Sequence, residues 1–204
     1  QLIMACGTGR MFMTLWIKEK IKSKNTLVLL PSLNLLAQIV SDWSFTSKSK
    51  IVVLYFCTNK SVGKKKDDEA MQTLSEMPFP VHSDITEIRK FNKSAGDKVI
   101  FSTYQSSDLI HESQKGRGIN VFDLAVANEA HRCAISGKPN SPFATIPDGK
   151  RIKATKQLLA TAIPRTYTTQ AKNALEERGV EVVGMDDEEA FGKPFYSLTF
   201  EEAI

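Results

Sequence analysis

Short apolar runs that alternate with helical patterns constrain the fold of this chain more than any other feature. The runs are rich in Val, Ile and Leu and do not alternate strictly with polar residues, which is typical of strands covered on both faces. We predict strands at 2–4, 26–30, 51–56, 98–102, 121–127 and 157–160, and helices at 11–22, 33–43, 85–92, 104–113 and 168–178. Strands and helices in this alternation are joined by right-handed crossovers into a parallel sheet. The sequence therefore predicts an α/β fold.

Helix boundaries and two irregular segments complete this prediction. Ser32 and Thr168 are expected N-caps, and Gly179 stands where a helix-ending glycine belongs. Residues 58–83 carry Lys64 to Lys66, a run of acids and two prolines, and we interpret them as a surface excursion with a short helix. Residues 136–153 are rich in Gly, Pro, Ser and Asn and predict a long loop. A further strand is expected at 195–198.

The composition excludes several classes of protein. Hydrophobic residues make up 42% and charged residues 25%, which excludes a disordered or fibrous chain. Polar residues interrupt the longest apolar stretch, and a membrane helix needs roughly 20 apolar residues, so we expect no membrane protein. The net charge of +4 permits a nucleic-acid partner without requiring one. Three widely spaced cysteines argue against a disulfide framework. Together with the lack of a signal peptide, they lead us to expect a cytoplasmic protein.

A glycine-containing loop directly follows the first predicted strand and precedes the first predicted helix. Its residues are Ala5, Cys6, Gly7, Thr8, Gly9, Arg10 and Met11. Glycines let a backbone turn so tightly that successive N–H groups and a helix N-terminus face phosphate oxygens. This context is typical of a phosphate-binding loop, although a simple strand-to-helix turn explains the glycine pair equally well.

A polar cluster ends the apolar strand at 121–127. Asn128, Glu129 and His131 follow it, in a segment one residue away from Asp-Glu-Ala-His. At the C-terminal edge of a parallel sheet, acidic residues in this position bind a metal ion and orient an attacking water. The alternative is a solvated strand end in which His131 packs or caps.

Five motifs in a fixed order resemble the first motor domain of superfamily 2 helicases and translocases of the Asp-Glu-Ala-His (DEAH box) kind. They are the glycine loop, 30–38 as motif Ia, 102–106 as motif Ib, 128–131 as motif II and 161–165 as motif III. The resemblance implies a RecA-like P-loop domain that binds ATP and Mg²⁺ and acts on DNA, with RNA as the alternative. It further implies that the glycine loop binds the nucleotide, that Glu129 is the catalytic base and that Asn128 stands at the metal-ligand position. Nucleic-acid contacts, through backbone N–H and hydroxyl groups, are expected at Ser32, Ser102 and Thr103. Thr161 and Ala162 are expected to couple the nucleotide site to the nucleic-acid site.

A narrower resemblance involves restriction-type translocases, in which the motor is one segment of a long polypeptide with nuclease or methyltransferase parts. Residues 191–204 resemble the end of their first motor domain, and 62–65 and 141–143 resemble the same group. We therefore expect a fragment of a longer protein. Residues 1–180 would form the first motor domain, and 181–204 its end or the connection to an absent second RecA-like domain. The glycine loop and Glu129 should lie side by side at the C-terminal ends of neighbouring strands.

The departures from the family pattern gather around one magnesium–phosphate centre. Arg10 stands where the family has the phosphate lysine, Met11 where it has the magnesium hydroxyl, and Asn128 where it has an aspartate; Ile163 replaces a threonine of motif III. Magnesium prefers hard oxygen ligands, and a planar guanidinium does not simply replace an ammonium in a tight loop. Binding of Mg²⁺ is therefore doubtful, and we predict impaired ATP hydrolysis.

Three hypotheses stay open at this point. The first is a nucleotide-binding motor domain of a DNA translocase whose hydrolytic apparatus is degraded. The second is a non-catalytic module, on the same fold, that binds nucleic acid or acts as a scaffold. The third is a normal parent ATPase in which the changes are sequence drift. An intact second motor domain beside a nuclease segment in the parent protein would favour the first.

Overall fold

The structure, a computed structural model, describes residues 1–58, 77–115, 121–134, 151–177 and 183–203. Within these residues eight strands form one sheet, and every pairing is parallel. The strands are β1 (Leu2–Met4), β2 (Asn25–Leu30), β3 (Ile51–Phe56), β4 (Val81–His82), β5 (Asp97–Thr103), β6 (Phe122–Asn128), β7 (Ala154–Thr161) and β8 (Tyr196–Leu198). Their order across the sheet is β4-β3-β5-β2-β6-β7-β1-β8. The predicted α/β fold is confirmed.

Helices connect the strands, and α2, α3, α5 and α6 begin at residues whose side chains accept backbone N–H bonds. The α-helices are α1 (Arg10–Lys20), α2 (Leu33–Thr46), α3 (Ile85–Lys93), α4 (Ser107–Ser113), α5 (Thr169–Glu176) and α6 (Glu188–Phe191). Short 3₁₀ turns cover Tyr104–Ser106, Ala130–Ala134 and Glu201–Ala203. Ser32 and Thr168 accept backbone N–H bonds at the starts of α2 and α5, which confirms them as N-caps. No helix in the described part of the chain is long and apolar enough to span a bilayer.

Two apolar clusters lie on opposite faces of the sheet. Side chains alternate along a strand, so Leu27 and Leu29 of β2 enter one cluster while Val28 and Leu30 enter the other. The Val28 cluster includes Leu15 of α1 and Leu36, Ile39 and Trp43 of α2; the Leu27 cluster includes Ile88 of α3, Ile110 of α4 and Phe191 of α6. The sheet is therefore buried between two layers of helices, as its apolar strands predict.

One strand was not predicted. Val81 and His82, which lie in the segment expected to be a surface excursion, form β4, and this strand pairs with the end of β3. A strand of two residues that follows two prolines gives no period to detect. Residues 59–76 and 135–150 lie outside the described residues. The predicted short helix, the greater part of the predicted long loop and the restriction-type resemblances at 62–65 and 141–143 therefore fall there, as does Gly179.

The C-terminal residues extend the sheet beside β1. Tyr196 of β8 pairs with Leu2, and the Gln1 side chain donates hydrogen bonds to the carbonyl oxygens of Met185, at 2.8 Å, and Gly192, at 2.7 Å. The expected strand at 195–198 is thus present at Tyr196–Leu198. The division of the chain at residue 180 stays a prediction.

Candidate functional site

The glycine loop leaves β1 and turns into α1 through two residues with left-handed backbones. Gly7 has φ 80° and Gly9 has φ 83°, values that side-chain-bearing residues rarely adopt. The Thr8 hydroxyl donates to the carbonyl oxygen of Ala5 at 2.7 Å and closes the turn. No side chain caps the N-terminus of α1, and its first turn holds no acidic residue. The positive end of the helix dipole is therefore open to an anion such as phosphate.

Arg10 connects this loop to the end of β6. Its Nη2 donates to Glu129 Oε1 in an ion pair, and its Nη1 lies 3.5 Å from the carbonyl oxygen of Met4. The contact brings the glycine loop and motif II together at the C-terminal edge of the sheet. However, β7 lies between β1 and β6, so the prediction that they are neighbouring strands is wrong. The long arginine side chain spans the end of β7.

Glu129 occupies a constrained position directly after β6. Its backbone is left-handed, with φ 54°, which is uncommon for a residue with a side chain and is often found at functional sites. Its Oε1 accepts the bond from Arg10, and its Oε2 lies 3.4 Å from His131 Nδ1. Glu129 therefore stands between one permanent cation and one titratable ring.

His131 extends this set of contacts to β7. Its Nδ1 lies 3.0 Å from Thr161 Oγ1. Burial is the main cause that lowers the pKa of His131; Glu129 opposes this shift, while Arg132, Arg10 and Arg165 add to it. The shift favours the neutral form of the ring. The contacts run from Arg10 through Glu129 and His131 to Thr161, across the ends of three strands.

Asn128 is fully buried, and its side chain is unusual. Neither amide atom has a hydrogen-bond partner within the described residues, and the same holds for Arg10 Nε. The backbone carbonyl of Asn128, in contrast, accepts a bond of 2.8 Å from the Tyr104 hydroxyl. Buried polar atoms are nearly always paired in folded proteins, so those left unpaired indicate a position for a ligand or an ordered water.

These residues do not fit a magnesium ion. The Met11 side chain packs against the Val28 cluster, and its carbonyl oxygen already accepts bonds from the side chains of Thr14 and Trp43. Asn128 offers one neutral oxygen, and Glu129 is paired with Arg10. No group of three His, Cys, Asp or Glu residues in the described part of the chain could hold a metal. Magnesium needs hard, usually anionic, oxygen ligands, whereas this site presents mainly donors.

The three predicted nucleic-acid residues are placed differently from one another. Ser32 is partly exposed, and its hydroxyl caps α2. Ser102 and Thr103 are buried; Ser102 Oγ donates to the carbonyl oxygen of Phe56 at 2.5 Å, and Thr103 Oγ1 lies 3.2 Å from Ser106 Oγ. Both hydroxyls therefore have partners inside the protein, and nucleic-acid contact at Ser102 and Thr103 stays a prediction. Contact at Ser32 stays a prediction.

The predicted coupling residues lie beside the site. Thr161 is buried and adjoins His131, and Ala162, which follows it, is partly buried. Their coupling role stays a prediction. Sequence reasoning gave no role to Tyr104, whose hydroxyl supports the backbone of Asn128. Its position directly after β5, inside motif Ib, was the available signal.

Comparison with known proteins gives one family match and several structural matches. The family described as "Type III restriction enzyme, res subunit" matches residues 1–166. The chain is 30% identical to the structure "ATP-dependent Type ISP restriction-modification enzyme LlaBIII bound to DNA", with a TM-score of 0.76 over 100% of this chain and 14% of that chain. A nuclease-deletion mutant of the Type ISP enzyme LlaGI, in complex with a DNA substrate mimic, is 28% identical, with a TM-score of 0.70 over 100% of this chain and 18% of that chain. No curated protein matches the chain.

Proposed function

Because this chain belongs to the family of the type III restriction enzyme res subunit, we propose that it is the nucleotide-binding motor segment of a restriction-type DNA translocase. The family and the RecA-like sheet confirm its resemblance to a superfamily 2 motor domain. One observation carries the proposal: the Arg10–Glu129 contact joins the glycine loop to motif II. The chain spans 14% and 18% of the two Type ISP restriction enzymes described above, so translocation belongs to the larger protein in this proposal.

The nucleotide in this proposal is ATP, and its phosphates lie against the glycine loop. The open N-terminus of α1, the left-handed glycines and the Arg10 guanidinium all favour an anion there. Hydrolysis by this chain is impaired, because phosphoryl transfer depends on a metal ion and on positive charge around the transferred group. Arg10 also holds Glu129, the expected base, in an ion pair.

DNA is the nucleic acid in this proposal, since both similar restriction enzymes were solved with DNA or a DNA mimic. The strand would pass along the C-terminal edge of β2 and β5, near Ser32. Contacts of this kind position a nucleic-acid strand without reading its sequence. The buried hydroxyls of Ser102 and Thr103 leave the main chain and Ser32 as the contacts to test.

Thermal unfolding with a non-hydrolysable ATP analogue tests the nucleotide site. We expect the analogue to raise the unfolding temperature, because a ligand bound only by the folded state stabilises it. Arg10→Ala should remove the shift, whereas Arg89→Ala, which deletes an exposed guanidinium on α3, should keep it. A parallel assay with ATP, Mg²⁺ and DNA should give no turnover.

Two results would change the conclusion. Turnover that depends on Mg²⁺ would contradict impaired hydrolysis. A folded wild-type chain that shows no shift, with or without Mg²⁺, would contradict the nucleotide site and favour a nucleic-acid-binding or scaffolding module.

A further inference from the structure

Guanidinium groups outnumber carboxylates around the end of β6. Arg10 contacts Glu129 directly. Burial lowers the pKa of His131 most, and among the charged groups that act on it Glu129 alone raises the pKa, while Arg132, Arg10 and Arg165 lower it. Of these cations, Arg10 touches the carboxylate of Glu129, while Arg132 and Arg165 are exposed. An excess of positive charge attracts a polyanion and repels a divalent cation.

The unpaired atoms at this edge are mostly hydrogen-bond donors. Arg10 Nε and Asn128 Nδ2 are buried, carry N–H groups and have no partner within the described residues. An aspartate at position 128 would present only acceptors, whereas an asparagine amide presents two N–H donors beside one carbonyl oxygen. A phosphate oxygen can accept from both the amide and the arginine fork, but a hydrated magnesium ion cannot.

From these two observations we infer that Arg10 takes the place of magnesium in this site. The ligand is then a polyphosphate that carries no metal ion, and Mg²⁺ weakens its binding. The inference rests on the proposed function, since it assumes that phosphate binds at the glycine loop. It adds that the ligand binds without a metal ion and that Mg²⁺ raises the Kd of the ligand.

The physical reason for the sign is charge. A metal-free polyphosphate presents its full negative charge to Arg10, whereas bound Mg²⁺ cancels about two units of that charge and brings a cation towards the guanidinium. The chain offers this ion no compensating carboxylate at position 128. Because Arg10 is paired with Glu129 in the free protein, the incoming phosphate must also compete with that carboxylate for the guanidinium.

Calorimetric titration of the whole chain tests both parts. Pyrophosphate and a non-hydrolysable ATP analogue are titrated once in EDTA and once in excess Mg²⁺. We expect the Kd to be about threefold lower, or better, in EDTA. In EDTA, Glu129→Gln should lower the Kd again, because Arg10 is released from its partner. The matched control is Glu112→Gln, which removes an exposed carboxylate of α4 that pairs with Lys115, and this change should leave the Kd unaltered.

The outcomes separate this inference from the function on which it rests. If Mg²⁺ tightens binding to the wild-type chain, the inference is wrong while the nucleotide site stands. If neither ligand binds in either condition, both fail. If Glu129→Gln binds no better than the Glu112→Gln control in EDTA, Arg10 is not held back by Glu129 and the replacement of magnesium is rejected. Circular dichroism checks folding; should the Glu129 variant not fold, the wild-type comparison decides alone.

Discussion

Two strand ends at the same edge of the sheet treat their polar residues in opposite ways. At the end of β5, Ser102 and Thr103 are buried, and each hydroxyl has a partner inside the protein. At the end of β6, Asn128 is equally buried, yet its amide has no partner in the described residues. The polar side chains at the β5 end are thus satisfied within the fold, whereas the β6 end leaves a buried amide unpaired.

The two strand ends are also connected to each other by a hydrogen bond. Tyr104 follows β5, is fully buried and donates to the carbonyl oxygen of Asn128 at 2.8 Å. The satisfied end therefore fixes the backbone of the unsatisfied end. Native proteins depart from complete hydrogen bonding mainly where function requires it, and the rest of the structure compensates for the loss.

The largest effect is expected from removing this support. Tyr104→Ala deletes a fully buried ring and should lower the free energy of unfolding by about 3–5 kcal/mol. Tyr104→Phe leaves the Asn128 carbonyl unpaired and should cost about 1–3 kcal/mol. Urea denaturation measures both, with Tyr196→Phe on β8, which is exposed, as the control. A loss below about 1 kcal/mol for Tyr104→Ala would contradict this role.

The second prediction concerns the reactivity of the three cysteine thiols. Burial raises the pKa of Cys57 to about 11 and that of Cys133 to about 12, whereas Cys6 is exposed in the glycine loop. At pH 8 we expect Cys6 to react with a thiol reagent about 100-fold faster than the other two, or more. Absorbance should show one rapid thiol in the native chain and three in denaturant. Rapid reaction of all three in the native chain would contradict the burial.

The same pKa shifts give a pH dependence of stability. The folded state raises the pKa of both buried thiols above the ordinary value of 9.0, so their contribution to stability is complete below about pH 9. It is lost as the pH rises from there through the folded values. We expect the urea midpoint to fall above pH 9 and to fall less in a Cys57→Ala variant.

The third prediction restores the family residues at the start of α1 and at the end of β6. Arg10→Lys, Met11→Thr and Asn128→Asp together should make Mg²⁺ tighten binding of the ATP analogue by about tenfold. Each single change should do little, because the three groups surround one centre and act as a unit. Hydrolysis should stay slow, since a catalytic arginine supplied from elsewhere is typically worth about 10³ to 10⁵ in rate.

Calorimetry on the four variants provides the measurement. A triple variant that is folded, yet binds no better with Mg²⁺ than the starting chain, would show that these three residues do not control the effect of Mg²⁺ on binding. The scaffolding hypothesis would then be the better one.

The smallest effect compares the two ends directly. Ser102→Ala removes a bond to the Phe56 carbonyl and should cost about 1 kcal/mol in the free energy of unfolding without changing phosphate binding. Asn128→Leu replaces an unpaired amide by an apolar group of similar size, so stability should hold or rise while phosphate binding is lost. A loss of more than about 1 kcal/mol in Asn128→Leu would indicate that its amide is paired after all.

Local sequence patterns predicted most of the fold. The six strands expected from apolar runs are present, although β7 begins three residues earlier than predicted, at Ala154. The five predicted helical segments are present as well, the fourth as a 3₁₀ turn followed by α4. These elements depend on residues close together in the chain, which is the range over which hydrophobic period and caps act. β4 was not predicted, because a strand of two residues is defined only by its pairing with β3 and has no sequence pattern of its own.

The sequence by itself determined the elements, the glycine loop and the polar end of β6. By resemblance it also placed Arg10 at the position of the phosphate lysine, and Met11 and Asn128 at the positions of two magnesium-side groups. Only the tertiary structure decided that β7 separates β1 from β6, that Arg10 reaches across to Glu129, and that Ser102 is buried. The physical reason is the distance along the chain between the residues that interact. A side chain's partner and its exposure are set by which strands lie beside it, and that order depends on contacts between residues far apart in the chain.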